Sequence, residues 1–429
     1  MFFRRYLRLF YFSESFSRRD VSILLGNMLD HFDAGLYGFL APVLAPLFFP
    51  THDPVVQLIL AYSILATSLI TRPLGSIIFS IMARRRGALW ALSYSLLGAS
   101  VTTFLMGCVP TYEMCGWMGP LSLLLLRGFG GIFAAGEATV AQLYILHQKP
   151  FQQGLKASQY YHSTSMAGMI LASFAATLAI IGGTEVAWRI CFFAGSFAGV
   201  VGFLIRYFAK QEPEKIRKAP IAFYGIAATK SVMKLWKIVL ALSVVSGFSY
   251  MTYAIPCIFM NSFVPLISDH SLETMMELNT AFLIIDLILI PLLGSLLIKQ
   301  NPTHVMGGAV LILAFTCPIL FHFLPQSSLL YISFVRLWII FWGVVFLCPL
   351  SQWYRSLVGT TRGYLILGIA QALGTSTLGR LTPSLGLWLW EETSLVDSPA
   401  MWFSFCAIGV FTILKMYPFK TQGNTKQND

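Results

Sequence analysis

Residues 305–324 read VMGGAVLILAFTCPILFHFL, twenty positions without an acid, a lysine or an arginine. A run of ~20 mostly apolar residues is what a helix needs to cross a bilayer. Eleven more stretches of this kind flank it, at about 21–48, 55–82, 88–109, 117–146, 158–182, 187–208, 238–265, 277–298, 328–350, 361–388 and 399–417. Composition agrees. Of 429 residues, 56% are hydrophobic and 11% charged, and the mean hydropathy is +0.72, whereas soluble domains carry roughly 25% charged residues. A soluble enzyme, a disordered chain and an ordinary nucleic-acid binder are thereby excluded. The 34 Gly and 20 Pro are tolerated in membrane helices. The sequence predicts an all-α integral membrane protein of twelve transmembrane helices.

One connecting segment, 209–237, is long and polar, with Lys210, Lys215, Arg217, Lys218, Lys230, Lys234 and Lys237. It divides the chain into a six-helix bundle at 1–208, a basic linker at 209–237, a second six-helix bundle at 238–417 and a short tail at 418–429. Bases gather at alternate helix ends, among them Arg18, Arg19, Arg84, Arg85, Arg86, Lys299, Arg355 and Lys415; acids mark the opposite ends, among them Asp53, Glu113, Asp269, Glu391 and Asp397. The positive-inside rule then places both termini in the cytoplasm. The stretch Met1–Phe12 is too short to span and has no small-residue cleavage pattern, so no removal is expected. The seven Cys lack metal-ligand spacing; Cys108 and Cys115 flank an outer loop, but small buried hydrophobes are the favoured reading of these thiols.

The two bundles echo each other. Leu124-Leu125-Leu126-Arg127, Gln142, Tyr144 and Gly154 are matched by Ser333-Phe334-Val335-Arg336, Gln352, Tyr354 and Gly363 at offsets of 209 or 210 residues. Pro73-Leu74-Gly75-Ser76 likewise matches Pro291-Leu292-Leu293-Gly294-Ser295. Duplicated six-helix halves point to a transporter with its site between them, near the bilayer midplane.

Ionisable residues inside a span cost ~2.5–3.5 kcal/mol on insertion scales and are functional candidates by default. They are Asp30, Asp33, Arg72, Arg127, Glu137, Asp286, Arg336 and Arg380. Asp30 and Asp33 share one helix face with Tyr37. Two carboxylates so close in low dielectric do not both stay charged, so one is expected to exchange a proton; the alternative is a structural pair neutralised by Arg72 or Arg127. Helical rise puts Asp30, Arg72 and Glu137 in one layer, ~14–15 Å from the basic face, and favours Arg72 as the structural partner of Glu137. Arg127, further out, and its repeat mate Arg336 are candidate forks for a substrate carboxylate, with Tyr37 and Arg380 as further contacts. Asp286 is either a proton or cation site or the neutraliser of Arg336 or Arg380. Aromatic residues such as Tyr161 and Tyr253 could hold a quaternary ammonium, although ordinary packing is the favoured reading.

The run Gly26-Asn27-Met28-Leu29-Asp30-His31-Phe32-Asp33-Ala34-Gly35-Leu36-Tyr37, with Arg72-Pro73-Leu74-Gly75, Leu126-Arg127-Gly128-Phe129-Gly130, Ala135-Gly136-Glu137 and Trp188-Arg189-Ile190, resembles the metabolite:proton symporters. They are a branch of the major facilitator superfamily that includes bacterial proline/betaine, α-ketoglutarate, citrate and shikimate carriers. The resemblance is strong over the first half and weak over the second. It implies two pseudo-symmetric bundles working by alternating access in the bacterial inner membrane, with Asp30, Asp33, Arg127 and Glu137 at the branch's charged positions. The sequence departs at the loop after the second helix. There the superfamily pattern carries an acid that helps latch the inner gate, and this chain reads Ser80-Ile81-Met82-Ala83-Arg84-Arg85-Arg86-Gly87. Arg84, Arg85 and Gly87 are thus the remnants of a gating loop, and Arg84 stands where the acid would be.

The expectation is a secondary carrier, functional as a monomer, that moves a small organic anion or zwitterion with protons. Proton coupling is assigned to Asp33, Asp30, Glu137 or Asp286. An uncoupled facilitator or exchanger, or a transporter-like solute sensor, are the alternatives. Solute, protons and membrane lipid are the expected partners; no nucleic acid, cofactor, metal or enzymatic activity is expected.

Overall fold

A computed structural model describes residues 18–147, 151–183, 186–209, 235–297, 299–358 and 363–419. Most of the basic linker, the segment before Arg18 and most of the tail lie outside the described residues. The first half comprises α1 (Arg18–Phe48), α2 (Pro54–Ser63 continuing through a 3-10 turn into Ser68–Arg86), α3 (Ala88–Cys108), α4 (Met118–His147), α5 (Phe151–Ile181) and α6 (Ala187–Ala209). The second comprises α7 (Trp236–Ile267), α8 (Leu272–Leu297), α9 (Pro302–His322), α10 (Leu329–Leu357), α11 (Gly363–Gly374 and Thr382–Thr393) and α12 (Ser398–Met416). Ten of these have the length and composition to cross a membrane. The other two are α1, which carries Asp20, Asp30 and Asp33, and α11, which is opened by a π-helical turn at Thr375–Gly379. The twelve helices are those the hydropathy predicts.

Helix ends follow local chemistry. Asp53 caps α2 by accepting from the Val55 N–H at 2.7 Å, and Pro54 occupies a first-turn position whose N–H would be orphaned anyway. Asn301 and Pro302 repeat that arrangement at α9. At the basic end of α2 the chain turns at Gly87, whose φ of 97° is a conformation that favours glycine.

Within the first half α1 packs on α5 and α6, α2 on α4, and α3 on α4 and α6. Within the second, α7 packs on α11, α8 on α10, and α9 on α10 and α12. Several crossings are as close as backbone allows: a Cβ at Gly168 of α5 would strike the Met28 carbonyl of α1, and one at Gly374 of α11 would strike the Ser243 carbonyl of α7. Small residues that admit this approach are how helices associate where lipid removes the hydrophobic drive. Two seams join the halves, α5 against α8 and α2 against α11.

At the acid-bearing end the halves are closed. The Tyr62 hydroxyl lies 2.6 Å from Ser262 Oγ, Asn279 donates to Ser173 Oγ at 3.0 Å, and Ser173 meets Thr280 at 2.9 Å. Trp188 is buried there between Phe48 and Phe192, while Arg189 donates to the last carbonyls of α3 at Gly107 and Val109.

Candidate functional site

Between the halves lies a cavity of about 240 Å³. It is lined from α1, α2, α4 and α5 on one side and from α7, α8, α10 and α11 on the other. It runs from mid-helix positions such as Asp30 and Thr252 toward the basic ends, where Tyr161 and Tyr354 border it. The π-helical turn of α11 contributes Thr375 to the wall, and such turns recur at functional sites.

Four charged side chains line it, each more than nine-tenths buried: Asp30, Arg72, Asp286 and Arg380. Neither Arg72 nor Arg380 forms an ion pair with Asp30 within 4.0 Å among the described residues. The Nε atoms of Arg72 and Arg380 and Oδ1 of Asp286 have no hydrogen-bond partner. Asp286 forms no ion pair within 4.0 Å among the described residues, so neither Arg336 nor Arg380 neutralises it directly. His31 accompanies Asp30, its Nδ1 2.9 Å from the Asn27 carbonyl. Asn27 itself donates to the Tyr161 carbonyl and to Thr164 and Ser165, which pins α1 to α5 beside the cavity.

The other sequence candidates are elsewhere. Asp33 faces Arg127 at 3.5 Å and accepts from the Thr103 hydroxyl. Arg127 also donates to the Ala34 carbonyl and lies 5.2 Å from the Tyr37 ring centre; the Tyr37 hydroxyl is committed to the Ala61 carbonyl at 2.8 Å. None of the three lines the cavity. Arg336 is fully buried against α7 and α8, donating to Asn261, Asn279 and the Met275 carbonyl and lying over the Phe282 ring. The repeat mates Arg127 and Arg336 thus both sit beside an aromatic ring, outside the cavity wall.

One expected pair is corrected. Glu137 does not meet Arg72; it accepts from Arg206 of α6 at 2.5 and 2.6 Å. The shared depth of Arg72 and Glu137 is real, but depth does not say which helix face a residue takes. Arg206, counted at sequence level as the end of a span, enters because Gly26 leaves room: a Cβ there would overlap its guanidinium. The seven Cys are all free, Cys108 and Cys115 included. Of the gating loop, Gly87 makes the turn and Arg85 is exposed, while the Arg84 side chain lies outside the described residues. Sequence reasoning also passed over Tyr250, Gln371 and the Ser246–Tyr354 bond of 2.6 Å, polar lining groups without a charge to flag them.

The profile of the Major Facilitator Superfamily matches residues 23–379. The chain belongs to this superfamily. It is a multi-pass membrane transport protein, and its two bundles are the two halves of the major facilitator fold. It is 27% identical over 423 residues to the "Glycine betaine/proline/ectoine/pipecolic acid transporter OusA" of Dickeya dadantii, covering 91% of this chain and 81% of that one. It is 24% identical over 394 residues to a "Citrate-proton symporter" of Klebsiella pneumoniae, covering 89% of this chain and 87% of that one. Among solved structures, the xylose transporter XylE from E. coli in a partially occluded inward open conformation superposes with a TM-score of 0.73 at 15% identity, over 95% of this chain and 99% of that one. That likeness speaks to the fold alone.

Proposed function

We propose that this major facilitator protein is a proton-coupled symporter of a small organic anion or zwitterion, in the bacterial inner membrane with both termini cytoplasmic. The observation that carries the reading is the buried cavity carboxylate Asp30, which shares the cavity between the halves with Arg72 and Arg380. A buried carboxylate that shares a cavity with arginines takes a proton when a solute carboxylate claims those arginines. Solute and proton then neutralise the site together, which lets the halves rock past one another. Asp30 is therefore the coupling residue, and Arg72 with Arg380 are the solute's anionic subsite. Asp33, Arg127, Tyr37 and Arg336 stand outside the cavity and serve packing and closure, as Glu137 does through Arg206. Closure at the acid-bearing end and a cavity reaching the basic ends support an inward-facing state. The relatives named as proline/betaine-type and citrate-proton transporters support the solute class and the coupling ion.

The test is uptake into proteoliposomes of labelled proline, glycine betaine, dicarboxylates and citrate, with and without an imposed pH gradient. Accumulation of at least one solute only with the gradient is expected; no movement of any under either condition would refute the reading.

A further inference from the structure

Asp286 is a cavity carboxylate with no ion pair within 4.0 Å among the described residues. It lies on α8, more than nine-tenths buried, and its Oδ1 meets no donor. Asp30, on α1, shares the cavity with Arg72 and Arg380. The wall thus carries two guanidinium groups and two carboxylates, and of the carboxylate oxygens it is Oδ1 of Asp286 that is buried without a partner. An unpaired carboxylate out of water is strongly unfavourable, and whatever cation reaches it gains the full benefit of the pairing. Tyr253 borders the same cavity and meets Tyr250 edge to face at 5.7 Å. Ring faces attract an organic ammonium as well as a carboxylate does, and without hydration.

We infer that Asp286, with Tyr253 on the same cavity wall, is the specificity-determining subsite for the ammonium end of a dipolar solute whose carboxylate lies toward Arg72 and Arg380. The inference rests on the solute-transport reading above and narrows it from anion or zwitterion to zwitterion. An anion of two or three charges would leave Asp286 unpaired and add like charge to the same cavity. A zwitterion satisfies both ends at once.

The experiment compares two molecules of nearly equal shape, glycine betaine and 3,3-dimethylbutyrate, in which carbon replaces the quaternary nitrogen. Binding of each to the purified full-length protein is measured by calorimetry, for wild type, Asp286→Asn and Asp286→Glu, and uptake is measured in proteoliposomes. The wild type is expected to prefer betaine by about tenfold or more, the scale of a lost charged contact. Asp286→Asn should erase that preference by weakening betaine alone, and Asp286→Glu should keep part of it, which separates loss of charge from loss of fold. Preference for betaine retained in Asp286→Asn would overturn the inference, as would equal weakening of both ligands or binding of neither by the wild type. Intact betaine binding in Asp286→Asn with loss of gradient-driven accumulation would overturn it too, by making Asp286 a proton site. Charge-dependent binding as expected, with no gradient-driven uptake, would uphold Asp286 and refute the symport reading instead.

Discussion

Arg206 and Glu137 form a two-pronged ion pair at 2.5 and 2.6 Å, with both side chains sealed from solvent. The same guanidinium donates to the carbonyls of Ser22, Ile23 and Leu92, so one side chain on α6 ties α1, α3 and α4 together at the basic end of the first half. Nearly every donor it has is used, which is the condition under which a buried pair is tolerated. The result is a basic end of the first half braced by one side chain across four helices.

Breaking that pair is expected to be costly. Arg206→Ala or Glu137→Ala leaves a lone buried charge and should destabilise by about 3–5 kcal/mol, read as a lower unfolding temperature of the detergent-purified protein. Gly26→Ala should do the same by pushing into the guanidinium. Unfolding temperatures equal to wild type in all three would remove the pair from the fold's support.

The closure at the acid-bearing end rests on few inter-half hydrogen bonds among the described residues, so it should yield to small changes. Tyr62→Phe removes the bond to Ser262. At about 0.5–1.5 kcal/mol per bond, it should shift the balance toward the outward-open form severalfold. A cysteine at Thr252, on the cavity wall, should then react faster with a membrane-impermeant thiol reagent added at the acid-bearing face. An unchanged rate would mean that Tyr62 does not hold the closure.

How much of this was legible beforehand follows from what each signal encodes. Hydropathy set the helices because crossing lipid is a constraint on composition, and 305–324 meets it without any tertiary information. The offset between Arg127 and Arg336 gave the duplication for a similar reason. Facing direction is different. Asp30 and Asp33 share a stripe, yet Asp30 borders the cavity while Asp33 meets Thr103 and Arg127, because a wide stripe contacts more than one neighbour. Arg206 was hidden by its place at a span's end, where a base reads as a topology signal; only the gap at Gly26 gives it an inward path. Asp286 was legible as a buried acid, but its lack of a partner is a property of the assembled bundle.

Orientation has its own check. Single cysteines placed in 209–237 should be labelled only from the cytoplasm, and one at Asp269 only from outside, since bases crowd one set of helix ends and acids the other. Labelling of both from the same face would contradict the proposed topology.

Asp33 and Arg127 should matter to packing within the first half rather than to the solute. With neither on the cavity wall, Asp33→Asn should leave KM within about threefold of wild type, below the scale of a lost charged contact, and should retain accumulation in a pH gradient. A KM rise beyond tenfold with maximal rate unchanged would bring the pair back into the solute site.

The most direct measurement of the central claim is Asp30→Asn in proteoliposomes, with gradient-driven accumulation and solute exchange followed in the same preparation. Asparagine keeps the size of the side chain and cannot carry a proton. Loss of accumulation is expected, with exchange of labelled for unlabelled solute preserved, since exchange needs no deprotonation. Accumulation at the wild-type level in Asp30→Asn would contradict that claim.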